Sequence, residues 1–184
     1  DKQPEEFLTK KEKLSDLSIQ KNEEIIKKLS EQIIKLGGKP NLDNKNHKEL
    51  IKDLNKQFDQ LSVKNILSDK SKNIIKDETI NNIKVRFQKI IDLPPKDLRK
   101  LIDNGKKEIV EGIVVIFASK DGKIGLAAGV TDKLINKYDA VKFVKTGSEI
   151  IGGKGGGGRA DFAQAGGTEV NKIDDAISKL KSLV

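Results

Sequence analysis

No cysteine, methionine or tryptophan occurs in this chain, and histidine occurs once, at His47. Without cysteine there can be no disulfide framework, thiol nucleophile or thiolate metal site. The lone His47 has no neighbours able to complete a metal site, which points to a structural or exposed role. Aromatic residues make up 4% of the chain, too few for the stacking platforms of a single-strand binder. No run of about 18 apolar residues could span a bilayer, and no short apolar stretch follows a basic start as in a signal peptide. A soluble, cytoplasmic protein is expected. With no methionine to start it, the chain is expected to be a piece of something longer.

Arginine is also scarce, limited to Arg86, Arg99 and Arg159, so the formal charge of +8 is carried almost wholly by lysine. Abundant lysine beside abundant isoleucine and asparagine fits a drift toward AT-rich codons, which discounts the net charge as a sign of nucleic acid. The distribution says more. Residues 1–82 carry 17 basic and 15 acidic groups, residues 83–138 carry 12 and 7, and residues 139–184 carry 7 and 6. The excess therefore lies in the middle of the chain.

Hydrophobic periodicity divides the chain in two. Pro4, Glu5 and Glu6 suit a helix start. Leu14, Leu17, Ile25, Leu29, Ile33 and Leu36 then recur mostly at helical steps until Gly37-Gly38. A second stripe, Leu50, Leu54, Phe58 and Leu61, follows His47. An antiparallel helical hairpin closed by a short turn is the natural reading. Residues 68–82 read as a polar connector with a few local isoleucine contacts. From Ile83 the period becomes two, with Ile83, Val85 and Phe87 alternating with Lys84, Arg86 and Gln88, so one face of this strand is expected to be basic. Pro94-Pro95 should open a helix that Asn104-Gly105 closes. The run 112–118 reads as a buried central strand, joined through Asp121-Gly122 to an antiparallel partner at 124–130. Thr131 and Asp139 are helix caps, 161–165 is a short strand, and Thr168 caps a last helix bearing Ile173, Ala176, Ile177 and Leu180. The expected fold is α+β: residues 1–82 a helical hairpin and connector, residues 83–184 a small α/β unit with a mixed sheet of about four strands.

The chemistry gathers at Gly152–Gly167, which reads GGKGGGGRADFAQAGG. Glycine costs about 1 kcal/mol against alanine in regular structure, so this density marks a place where something approaches the main chain. The run follows a helix instead of opening one and lacks the Gly-Lys-Ser/Thr ending of a P-loop, which argues against an ATPase on these residues. What is left is a line of backbone donors for an anion, with Lys154 as a point charge and Arg159 as a planar fork for phosphate. Lys84, Arg86, Lys89, Lys120 and Lys123, on a strand face and a hairpin tip, form a second basic set able to track phosphates. A linker is the bland alternative, but a linker does not need the mixed run Arg159 to Gly167.

That stretch resembles the signature of the carboxy-terminal domain of alanyl-tRNA synthetases, usually written Arg-Pro-Asp followed by Ala-Gln-Ala-Gly-Gly; Ala160 stands where proline is usual. The likeness extends back through the strands at 112–130 and 83–90. It implies a tRNA-gripping appendage of an alanine–tRNA ligase that contacts the outer corner of tRNA and supports aminoacylation and editing by upstream domains. This stretch would itself have no catalytic centre. By the same resemblance the RNA backbone would be held by Gly152, Gly153, Lys154, Gly155, Gly156, Gly157, Gly158 and Arg159, with Gln164 a candidate for bonding an exposed base; Lys84, Arg86, Lys120 and Lys123 are the RNA-binding candidates of the second basic set. Phe162 is read as core packing before base stacking, and Asp161 as ordering the loop. ATP, Mg and Zn would be needed only upstream, so no cofactor is expected here.

Two other readings stay open. Similar glycine-rich modules hold substrate in phosphoesterases with an Asp-His-His motif, though these usually carry histidine where Arg159 stands. The helical part could instead be an oligomerisation module, with a homodimer through residues 5–67.

Overall fold

The computed structural model describes residues 10–184, with side chains from 13 onward, so the Pro4 helix start lies outside the described residues. The chain forms two compact units, the first ending at Asn65 and the second spanning Ile66–Val184.

The first unit is built from α1 (Lys10–Lys35) and α2 (His47–Ser68). Gly37, at φ 87°, ends α1 as a helix stop should. The Gly38 N–H returns to the Ile33 carbonyl at 2.9 Å and the Gly37 N–H to that of Ile34 at 2.9 Å, which satisfies carbonyls the helix leaves open. Asn46 caps α2 by accepting from the N–H of Lys48 and Glu49. Leu29, Ile33, Leu50 and Leu54 are buried together, with Ile26, Ile51, Phe58 and Leu61 around them. The short turn expected between the helices is not found. Residues 36–46 form a strap that runs back along α2: Asn65 donates to the Leu36 carbonyl, and Gln57 exchanges bonds with Lys39 and Asn41. A tight antiparallel turn would set Leu36 beside His47; these bonds set it beside the other end of α2.

The second unit is a six-stranded sheet with helices on both faces. Its strands are β1 (Asn73–Ile80), β2 (Ile83–Ile91), β3 (Ile113–Lys120), β4 (Lys123–Val130), β5 (Gly156–Gly158) and β6 (Phe162–Gly167). They lie in the order β1-β2-β3-β4-β6-β5. All pairings are antiparallel except β2–β3, which is parallel and crosses over through α3 (Leu98–Ile109). α4 (Ala140–Ile150) and α5 (Ile173–Lys181) cover the other face. Val85, Phe87, Val115, Phe117, Leu126, Phe143, Val144 and Leu180 make the main core there. β3 and β4 are buried along almost their whole length, which explains their unbroken apolar runs.

The α+β class is as expected, and the strand count rises from about four to six. The additions are the two edges. β1 was hidden in the polar stretch 68–82 because an edge strand has one neighbour and can expose charge; its turn to β2 is Asn81-Asn82, both at positive φ, a hairpin signal of the same kind as Asp121-Gly122. β5 was hidden because it is all glycine, a residue depleted in strands. The polar face of β2 is also less open than expected. It lies under α3, leaving Gln88 only 7% exposed and donating to Asn73 at 2.7 Å. Two helix starts shift later, to Leu98 and Ile173: residues before proline prefer extended backbone, and a 3-10 turn at Val170–Lys172 precedes α5. Asp139 caps α4 as expected, accepting from the Val141 N–H at 2.9 Å.

Candidate nucleic-acid interface

The glycine run leaves the end of α4, loops through residues 152–155, forms β5, and turns at 159–161 into β6. Fully buried Ser148 fixes the start of this path. Its hydroxyl donates to the Gly166 carbonyl at 2.7 Å and accepts from the Gly155 N–H at 3.3 Å, while its own carbonyl accepts from Gly153 at 2.8 Å. A side chain at Gly153 would collide with the Gly166 carbonyl and the Ser148 hydroxyl. At Gly158, φ 151° and the nearby Phe162 carbonyl exclude one as well. Gly157 differs: a Cβ there would meet nothing within 4 Å, so internal packing does not require glycine at that position.

The direction of the β5 donors follows from the ladder. The Arg159 N–H donates to the Phe162 carbonyl at 2.8 Å, closing the β5–β6 turn. Antiparallel pairing alternates, so Gly157 bonds inward to Gln164 and the N–H and C=O groups of Gly156 and Gly158 point away from β6, to the free edge of the sheet. Gly156 and Gly158 present this edge with no side chains, between Lys154 and Arg159. Both basic side chains are exposed; Arg159 lies 3.5 Å from Asp161 and keeps 70% of its side chain open. Gln164 is exposed on β6.

The other candidates separate into two groups. Lys120 and Lys123 face each other across the hairpin tip, and Ile124 pairs with Gly167, so this pair shares the Lys154 end of the sheet. Lys84 lies at the opposite end of the strands, where Ile113 pairs with Val130 and the Val130 N–H donates to the Asp161 carbonyl, as does the turn carrying Arg159. Arg86 is half-buried and already engaged. It makes two bonds to Asp77, at 2.8 and 3.0 Å, and a third to Glu108. Hydrogen bonding to Asp77 raises the guanidinium's pKa further, and bonding from Arg86 holds the Asp77 carboxyl below its ordinary range. Lys89 pairs with Asp174 at 3.0 Å. Phe162 is 8% exposed, in keeping with a packing role.

Two residues of this region were not singled out in sequence. Ser148 positions the loop through contacts that linear spacing cannot reveal. Arg99, in the first turn of α3, stands over the Phe162 ring at 5.1 Å. Its rarity as one of three arginines was the only available signal. Among the described residues no group of three or more His, Cys, Asp or Glu side chains is placed to hold a metal ion, and no helix is long and apolar enough to cross a membrane.

Residues 82–184 match the DHHA1 domain, and the chain belongs to that family. It is similar to the alanine–tRNA ligase of Parvibaculum lavamentivorans, 48% identical over 108 residues covering 58% of this chain and 12% of that protein. The alanine–tRNA ligase of Paramagnetospirillum magneticum is 39% identical over 104 residues, covering 56% and 12%. The chain thus spans about an eighth of the length of these relatives. Among solved structures, the C-Ala domain of Aquifex aeolicus alanyl-tRNA synthetase superimposes with a TM-score of 0.55 at 30% identity, covering 59% of this chain and 96% of that one.

Proposed function

We propose that this chain is the carboxy-terminal appendage of an alanine–tRNA ligase, gripping the outer corner of tRNA in the cytoplasm while upstream domains of the same protein aminoacylate and edit. The observation that carries this reading is the β5 edge: Gly156 and Gly158 turn their N–H groups outward between exposed Lys154 and Arg159. Backbone donors and cations in one line suit a phosphate chain, and the absence of side chains lets that chain approach closely. Lys120 and Lys123 extend the basic track from the Lys154 end. The module's part is binding; ATP, Mg and Zn belong to the upstream domains. Residues 5–67 are the surface proposed for a homodimer, a reading supported by Leu14, Leu17 and Ile25, which stay exposed on α1.

Titrating the chain with unmodified tRNA transcript at several salt concentrations tests the binding. Affinity is expected to fall as salt rises, and the double variant Lys154→Ala/Arg159→Ala to bind about tenfold more weakly. No binding at low salt would remove the proposal. Sedimentation at micromolar concentration tests the dimer, which a monomer throughout would contradict.

A further inference from the structure

One face of the β6–β5 corner is left uncovered. Phe162 and Gln164 are two apart on β6 and so share a face, and Gly157 stands opposite Gln164 on that same face. α3 covers this side of the sheet over β4, where Ile102 and Lys106 lie against Gly129, and it extends over β6 through Arg99 on the Phe162 ring. Beyond Arg99 the sheet is open: Gln164 is exposed, nothing lies within 4 Å of where a Gly157 Cβ would be, and a Cβ at Gly166 would meet only the Ile124 carbonyl. The result is a shelf. Its floor is bare backbone at Gly157 and Gly166, its wall is the Arg99 guanidinium, and Arg159 stands at one end. No acid is paired with Arg99 among the described residues.

We propose that this shelf takes one unstacked RNA nucleotide. The base lies flat over Gly157, the planar guanidinium of Arg99 lies against it, Gln164 offers both a donor and an acceptor to its edge, and Arg159 meets its phosphate. The inference rests on the RNA-binding reading above and adds to it a base site and Arg99. It explains why Gly157 is glycine although nothing in the fold excludes a side chain there. It also gives a chain poor in aromatics a stacking surface made of guanidinium and peptide planes.

Gly157→Val extends into the shelf from a position where a Cβ meets no protein atom within 4 Å, and valine suits an edge strand better than glycine. The variant is expected to keep or raise the melting temperature, to weaken tRNA binding about tenfold, and to leave the salt dependence of binding unchanged because no phosphate contact is lost. Arg99→Ala is expected to weaken binding similarly. Arg99→Lys should not restore it, since an ammonium has no plane to stack. Lys179→Ala, on the other side of the sheet, is the control and should bind as the parent does. Unchanged affinity in Gly157→Val overturns the shelf, and so does a loss accompanied by a shallower salt slope. If Lys154→Ala/Arg159→Ala weakens binding and Gly157→Val does not, the shelf falls and the RNA-binding reading stands. If the parent chain does not bind tRNA at low salt, both fall.

Discussion

The sheet has two edges, and they are built in opposite ways. β1 carries Lys76, Asp77 and Glu78 in succession, the charged side chains by which proteins keep an edge strand from pairing with other chains. Two of these are tied down further, Asp77 to Arg86 and Glu78 to Lys181 at 2.9 Å. β5 is Gly-Gly-Gly. It has no side chain to guard its outward N–H and C=O groups, and cations stand at either end. A bare edge is a liability unless something covers it, so β1 is closed by its own side chains and β5 is left open, as the proposed grip on an RNA backbone requires.

The contrast can be broken from either side. Gly158→Ala should have the largest effect on the fold, because a Cβ would meet the Phe162 carbonyl at a backbone angle that disfavours any side chain. A loss of about 3 kcal/mol is expected, read by denaturant melts. Ser148→Ala should cost about 1–2 kcal/mol by leaving the Gly166 carbonyl and Gly155 N–H without their partner, and it should loosen β5 as seen by faster amide exchange at residues 153–158. Asp77→Asn, on β1, should cost the least, a few tenths of a kcal/mol at pH 7, since the Asp77 side chain is 55% exposed. Its carboxyl is held below the ordinary 3.8, so the folded protein binds the proton less readily than the unfolded chain. That stability is present above about pH 3.8 and is lost as pH falls through the lower folded value, so the gap between variant and parent in acid melts should close on acidification. tRNA affinity should not change in Asp77→Asn.

What was legible in the sequence follows the same division. The central strands declared themselves because burial on both faces demands unbroken apolar runs, as in Ile113 to Ala118, and the Gly37-Gly38 and Asp121-Gly122 stops needed only local chemistry. The edges did not, because a strand with one neighbour is free of the pattern that burial imposes: β1 looked like a polar connector and β5 like a loop. The glycine run with Lys154 and Arg159 was visible as chemistry, but its direction was not, since outward N–H groups are set by the register with β6. Arg99 was silent because its partner, Phe162, is brought to it only by the packing of α3 on the sheet. The strap at 36–46 was missed for a related reason: its bonds to Gln57 and Asn65 depend on where α2 lies.

The slope of tRNA affinity against salt, measured for the parent chain and for Lys154→Ala/Arg159→Ala, tests the open edge most directly. Each phosphate contact contributes close to one unit of that slope, so a double variant that binds more weakly with a slope shallower by about two is expected if β5 grips the RNA backbone. Equal affinity and an equal slope in the two proteins would contradict it.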